Sequence, residues 1–472
     1  MCLDKKWQVF FLVAFSLFMS TLDSSIVNVA LPFIMTDLSQ TMGTIQWVVT
    51  VYLLFVSSFL LTFGRLSDII GRPRVYRLGF AVFTLGSFLC AISGTAAGLI
   101  LSRAVQGMGA SMLMACSPAL IVDAFEPANR GRALGLMGTC VAAGLTLGPV
   151  AGGFILEYFA WLTIFYINIP VGLVALVWSR WALKPKRGHS SHESMDIYGS
   201  LFMAIWVASF IIGLIRSPDW GFFSFKGGGC WAIGIMAFIG FVVHAQRAVH
   251  PLLDLGLLRV RRFSLPLGAA LFLFAALFSL VFMMPFYLSL ICGFSPAKTG
   301  LIMIVPFIFL LVISPVSGGL ADRLGSMLLC SAGMGCLAIA LAFMATLSPS
   351  TGEFGLFWRL SLAGMGTALF VSPNSAAIMG AVPAEHRGIA AGTMATARNL
   401  GMVVGVALAS SIFTRTFTGL TQGVGLDHYT PGMAPFFMTG FRYAMAAGVS
   451  LALLGFGLTL AYGNDLRSWK KP

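Results

Sequence analysis

Asp23, Arg103 and Arg398 stand well inside long apolar runs of this sequence. A charge within hydrocarbon is costly, so such a residue is retained for function by default. By helical rise, Asp23 lies about 16 residues, roughly 24 Å, past Trp7, and Arg103 lies about 5 residues, roughly 8 Å, short of the far end of its own run. In a bilayer core of about 30 Å the two depths coincide. A carboxylate and a guanidinium are thereby expected face to face, with Asn28 and Gln106 on the same runs as candidate partners. The chemistry open to such a pair is proton exchange. Apolar surroundings favour the neutral acid, the guanidinium favours the carboxylate, and a rearrangement of Arg103, water or a bound compound shifts the balance. A static ion bridge is the alternative. Arg398, near mid-depth in a later run, either meets an anionic group in a cavity or serves packing and hydrogen bonding.

Other chemistries are excluded by what is missing. The nearest approach to a Walker A phosphate loop, GFSPAKT (Gly293 to Thr299), lacks the glycine before the lysine. HExxH, GxSxG and a catalytic Cys/His arrangement are absent too, so no enzyme is expected. The eight cysteines are scattered and read as small apolar filler, and neither a metal nor a cofactor is expected. His244, at a helix end, is assigned no role. A gradient-driven transporter is the favoured class. A non-transporting receptor or scaffold would be expected to carry a sizeable soluble domain, and none is visible.

The elements that must position these residues are transmembrane helices. The chain is 58% hydrophobic and only 10% charged over 472 residues, with a mean hydropathy of +0.92. Its polar turns cut it into fourteen runs of spanning length, near 7–31, 44–63, 75–94, 98–122, 133–156, 161–181, 197–215, 229–246, 263–291, 300–319, 327–347, 355–380, 389–413 and 438–462. The first run follows Lys5 and Lys6 but continues past Asp23 to Pro32, too long for a cleaved signal peptide, and is kept as a spanning helix. With the N-terminus inside, 21 of the 29 Lys and Arg residues fall on one side of the membrane, so both termini are expected in the cytoplasm. This asymmetry explains the net charge of +13 without any nucleic-acid partner.

The polar stretch GRLSDIIGRPR, Gly64 to Arg74, is read as a tight turn allowed by Gly64 and Gly71, with Asp68 between them and Arg65, Arg72, Arg74 and Arg77 crowded around it. A reduced copy, GGLADRLG, Gly318 to Gly325, sets Asp322 at an offset of 254 residues from Asp68, with Arg323 beside it. Gly107 to Gly109 returns at Gly364 to Gly366, Ser117-Pro118 at Ser372-Pro373, and Arg130-Gly131 at Arg387-Gly388, with offsets of 257, 255 and 257. Two halves on one plan are expected. Six helices would space them by about 180 residues, so two extra helices must lie between them. The fold class is therefore an all-α polytopic membrane protein of two pseudo-repeated six-helix bundles plus two central helices. The divisions fall at 1–183, at 184–250 (a cytoplasmic linker and the extra pair) and at 251–472.

These stretches carry a family resemblance. GRLSDIIGRPR resembles the loop signature between helices 2 and 3 of the major facilitator superfamily, and fourteen helices resemble its drug:proton antiporter branch. LDSSIVNVALP (Leu22 to Pro32) resembles that branch's first-helix motif, RAVQGMGASM (Arg103 to Met112) its fourth-helix motif, and GLTLGPVAGG (Gly144 to Gly153) the antiporter motif of helix 5. Ile69 and Pro73 stand where the loop signature usually has basic residues, and Ser25 replaces a usual Thr. The resemblance implies a bacterial inner-membrane antiporter that exchanges protons for an amphiphilic small molecule or drug by alternating access, with the lipid bilayer as surroundings and a monomer as the working unit. Export of an endogenous metabolite or lipid, or symport, is the alternative. The acidic first-helix cluster of fourteen-helix peptide symporters is missing.

Each motif has a physical reading. Asp68 can meet the positive end of a neighbouring helix and nearby Arg, making a latch that breaks when the halves rock; a plain basic turn is the alternative. Gly144, Gly148 and Gly152, four apart, form a small-residue stripe flanked by Pro149 and Gly153. Such a stripe lets another helix approach closely, and the proline favours a bend, so the segment is read as a pivot. The second half keeps Gly401 and Gly405 but has Val406 in place of the proline. No acidic residue falls in the tenth or thirteenth run, where some exporters of organic cations in this branch carry them, which argues against strict polyvalent-cation specificity. The many Phe, Met and Trp residues can line an adaptable apolar pocket.

Overall fold

The computed structural model describes residues 4–183, 195–221, 224–248, 252, 255–383 and 387–469; the expected linker at 184–194 lies outside them, as do the side chains at 127, 128, 131, 132, 322, 387 and 463–469. Fourteen helices in the described residues are long and apolar enough to cross a membrane. They are α1 (Lys5–Asp37), α2 (Met42–Ile70), α3 (Arg72–Ala91), α4 (Ala96–Ala124), α5 (Ala133–Tyr158), α6 (Thr163–Ala182), α7 (Ile197–Trp220), α8 (Phe225–Arg247), α9 (Arg261–Ile291), α10 (Pro296–Ala321), α11 (Ser326–Met344), α12 (Glu353–Gly380), α13 (Gly388–Leu420) and α14 (Pro431–Tyr462). Every expected run is one of these helices, and no strand occurs among the described residues. Most helices outrun the apolar stretch that announced them, because a helix satisfies its own backbone and need not stop where hydrocarbon does.

The polar stretch after α2 corrects one expectation. Gly64 does not turn the chain: helix continues through Gly64 and Asp68 to Ile70, and a side chain added at Gly64 would meet nothing within 4 Å. Gly71 alone makes the corner, with φ of 99°, a region other residues rarely adopt. Pro73 then sits in the first turn of α3, where its missing N–H costs nothing. The second half repeats the device. Helix continues through Gly318 and past the end of α10 to Leu324, and Gly325 turns with φ of 87°.

The repeat is also one of packing. A Cβ on Gly107 would lie 2.7 Å from the Tyr52 carbonyl oxygen, and a Cβ on Gly364 would lie 2.6 Å from that of Pro306, so α4 crosses α2 as α12 crosses α10. Gly109 abuts the Phe83 backbone as Gly366 abuts that of Leu337, which packs α4 on α3 and α12 on α11. Close backbone approach is what these glycines supply. The extra pair, α7 and α8, set Trp206 against Phe238 (4.8 Å between ring centres, tilted) and Phe210 edge-to-face with Trp231 (5.4 Å). α7 is tied to α2 by Thr62 Oγ1 donating to Ser200 Oγ (2.9 Å) and to α13 by Ser411 Oγ donating to the Leu214 carbonyl (2.8 Å). Asp196 caps α7 by accepting from Gly199 N at 2.7 Å, and it also holds His244 Nε2 of α8 at 2.7 Å and Leu252 N at 3.0 Å. His244 thus clasps the extra pair, a role its sequence position did not suggest.

Candidate functional site

Asp23 and Arg103 meet. Both are 0% exposed, and Arg103 Nη1 donates to Asp23 Oδ2 at 2.5 Å. The carboxylate also accepts from Gln106 Nε2 and from Asn168 Nδ2, each at 2.8 Å. Arg103 Nε donates to the Val48 carbonyl (3.0 Å), Nη1 also reaches Gln106 Oε1 (2.5 Å), and the guanidinium lies 4.2 Å over the Tyr52 ring. Gln106 Nε2 reaches on to Ser87 Oγ at 2.9 Å. Five helices, α1 to α4 and α6, contribute to this enclosed network, so the buried charges are paired and hydrogen-bonded as a low-dielectric site demands.

Two details differ from the sequence expectation. Asn28 is not a partner: its Nδ2 donates to the Ser24 carbonyl at 2.8 Å, and its buried Oδ1 has no partner in the described structure. Five residues along a helix turn the side chain by roughly 140°, off the face that carries Asp23. Asn168 was missed, and its only signal was a lone amide in the apolar run INIPVG. The second half offers a control. At offsets of 254 from Asp23 and 257 from Arg103 stand Leu277 and Leu360, both buried. The contacts of Gly144 with Phe18 and of Gly401 with Leu271 set Ala276, also buried, beside Leu277 at this level, and α9 packs on α12 there with apolar residues at both places.

A cavity of about 960 Å³ lies between the halves, walled by α1, α4 and α5 on one side and α12 and α13 on the other, and it reaches the end of the bundle that carries Arg72, Arg130 and Gly388. Met114, Met137, Met379 and Met394 line it, and Arg398 stands at its inner end. A narrower void of about 20 Å³ shares Met114, Val141 and Arg398 with the cavity and continues to Ser20, Ser24, Tyr52 and Asn399. Arg398 Nε and Asn399 Nδ2 are buried without a hydrogen-bond partner. No Asp or Glu is among the described residues lining either space. Tyr52 separates the void from the ion pair: its hydroxyl donates to the Ser20 carbonyl at 3.1 Å while its ring lies under Arg103.

The glycine stripe of α5 is buried, so it does not face lipid. A Cβ on Gly144 would strike Thr21 and Phe18 (2.8 Å to the Phe18 oxygen), on Gly148 would lie 2.6 Å from Ser25 Cβ, and on Gly152 would lie 2.8 Å from Ile26 Cγ1. That face packs on α1. Pro149 and Gly153 do more than flank it, because they form the contact with α10 of the second half. A Cβ on Gly153 would lie 3.1 Å from Gly300 Cα, and one on Gly300 would strike the Pro149 carbonyl oxygen. Thr146 Oγ1 donates to the Phe307 carbonyl (3.2 Å) and Ala297 N donates to Glu157 Oε2 (3.1 Å) along the same seam. This seam joins the halves towards the end opposite Arg72.

Arg72 holds two carboxylates: its Nη2 lies 3.0 Å from Asp68 Oδ1 and its Nη1 lies 2.8 Å from Asp123 Oδ2 at the end of α4. Asp68 therefore pairs with Arg as expected, and Arg72 carries the link on to the end of α4 through Asp123. These bonds stay within the first half. Arg74 instead reaches back to the Ile70 carbonyl at 3.3 Å. Arg323 is exposed on the last turn after α10, and the Asp322 side chain lies outside the described residues.

Set beside known proteins, the chain matches the Major Facilitator Superfamily over residues 13–406. It is 36% identical over 419 residues to the riboflavin transporter RibZ of Clostridioides difficile, covering 88% of this chain and 90% of that one. It is 31% identical to the tetracenomycin C resistance and export protein of Streptomyces glaucescens, covering 86% and 77%, and 32% identical to the multidrug resistance protein Stp of Mycobacterium tuberculosis, covering 84% and 74%. Among solved structures, PepTSo of the POT family superposes with a TM-score of 0.70, and a bacterial homolog to the human lysosomal transporter Spinster, inward-facing and unoccupied, with 0.68. Each is 14% identical over 98% of both chains, a likeness of fold alone.

Proposed function

The chain belongs to the Major Facilitator Superfamily, and on that premise we propose that it is a proton-coupled antiporter exporting an amphiphilic small molecule across a bacterial inner membrane. That it is a multi-pass membrane transporter and not an enzyme rests on the family and its relatives. The finer reading rests on one observation above others: the corresponding helices of the second half, α9 and α12, pack together with buried apolar residues, Ala276, Leu277 and Leu360, at these places, which favours a role for Asp23 and Arg103 beyond holding the fold. A buried ion pair that packing could replace with leucines is weak evidence for stability and is free to serve coupling.

In this reading the three divisions at 1–183, 184–250 and 251–472 are working units, the protein acts as a monomer, and both termini face the cytoplasm. The cavity then opens inward while the α5–α10 seam closes the outside. Rocking of the halves breaks that seam, closes the cavity, and moves Tyr52 so that water reaches Asp23. Arg72 with Asp68 and Asp123 stiffens the first half as a lever and gates its cytoplasmic end. Each proton moved inward contributes about 2.3 kcal/mol per 100 mV of membrane potential.

Relatives named for tetracenomycin C export and multidrug resistance favour a foreign amphiphile as cargo. The riboflavin transporter favours a second reading, transport of an endogenous metabolite through the same site. Protein in sealed vesicles with an imposed pH gradient, offered a panel of drugs and riboflavin, tests both. Gradient-dependent movement of a drug supports the first, movement of riboflavin alone supports the second, and movement independent of the proton gradient refutes proton coupling.

A further inference from the structure

We propose that Arg398 and Asn399 form the recognition point for the head group of an anionic amphiphile, whose apolar body lies against the methionines of the cavity. The inference rests on the transporter reading for its physiological meaning, but not for its chemistry. Arg398 Nε and the Asn399 amide are buried beside one narrow void and lack partners there. Leaving such groups unpaired is costly, and an oxyanion such as a carboxylate or sulfonate satisfies them with charge-assisted hydrogen bonds.

The surroundings select for the same sign. No carboxylate is among the described residues lining the cavity or the void, Arg130 adds positive charge at the mouth, and Arg72 is already balanced by Asp68 and Asp123. A cation would therefore meet guanidinium groups in a low-dielectric space and nothing to pair with. Ala391, Met394, Ala395 and Arg398 line the wall of α13 at helical spacing, so one apolar face leads from the mouth to the guanidinium. A volume of about 960 Å³ holds a drug-sized molecule, and methionines adapt to bodies of different shape.

The test uses anilinonaphthalene sulfonate and its neutral counterpart phenylnaphthylamine, which differ by the sulfonate, with tetraphenylphosphonium as the cation. Equilibrium binding to full-length protein in nanodiscs, corrected with empty nanodiscs, needs no gradient, so a failure of transport leaves this result readable. The unmodified protein is expected to bind the sulfonate roughly tenfold more tightly than the neutral dye. Arg398→Gln should abolish that preference while retaining the neutral dye, and Arg398→Lys should keep part of it. Ala391→Glu, which sets a carboxylate two turns along the same face, should weaken the sulfonate and strengthen tetraphenylphosphonium even where Arg398→Gln fails to fold. Failure of the unmodified protein to bind the sulfonate, equal affinity for the two dyes, a preference for the cation, a preference surviving Arg398→Gln, or an indifferent Ala391→Glu each overturns the proposal.

Discussion

Ser25 Oγ donates a hydrogen bond of 3.0 Å to the carbonyl of Leu145. That carbonyl is the one an α-helix would bond to the N–H of residue 149, and residue 149 is proline, which has none. The α5 helix nevertheless runs unbroken through Pro149 to Tyr158. A side chain of α1 thus supplies the donor that the antiporter-like motif removes, and it does so beside Gly148, where the two helices are nearly in backbone contact.

Ser25→Ala should therefore destabilise the protein by about 1–3 kcal/mol, the cost of an orphaned buried carbonyl. Pro149→Ala restores the missing N–H, so adding it to Ser25→Ala should recover most of the loss. Thermal unfolding of the four proteins of this double-mutant cycle in nanodiscs provides the measurement. Additive effects would mean that the bond carries no weight.

The α5–α10 seam predicts a conformational bias. Gly153→Leu or Gly300→Leu inserts a side chain where backbone already meets backbone, so the outer closure cannot form. Insertion and abundance should stay near normal while exchange falls at least tenfold, and cysteines placed along the seam should become reactive from the side opposite the termini. Normal exchange by Gly300→Leu at normal abundance would show that the halves do not use this contact.

Asp23→Asn keeps shape and removes titration. It should abolish efflux driven by a pH gradient while binding of a neutral or weakly charged compound persists, and Arg103→Ala should shift the pH optimum or destroy activity. The combination Asp23→Leu, Arg103→Leu and Gln106→Ala copies Leu277, Leu360 and Ala363 of the second half. That variant should fold with thermal stability near that of the parent and yet be uncoupled. Undiminished proton-driven efflux by Asp23→Asn, in vesicles at matched protein levels, would leave the pair as a structural ion bridge.

Topology has its own check. In a background without native cysteines, Asp4→Cys and Thr430→Cys should be labelled by an impermeant maleimide from opposite faces of sealed membranes, because an odd number of spans, thirteen, separates them. Labelling from one face would refute the fourteen-helix arrangement.

Much of this was legible in the chain itself because a bilayer turns one dimension of structure into arithmetic. A run of apolar residues must be a helix, its length is set by hydrocarbon thickness, and a residue's place in the run gives its depth. Fourteen spans, two repeated halves and the meeting of Asp23 with Arg103 follow from such counting. So does the close packing expected of Gly144, Gly148 and Gly152, since residues four apart share a face. Depth, however, does not determine azimuth or partner. Asn28 lies only five residues from Asp23 but on another face, whereas Asn168, 145 residues away, supplies the hydrogen bond. Asp123 joins Arg72, Ser25 repairs Leu145, and Arg398 faces a cavity for the same reason. Each depends on how helices rotate and cross once small residues allow their backbones to touch, and that is set by packing summed over many contacts, not by any local pattern.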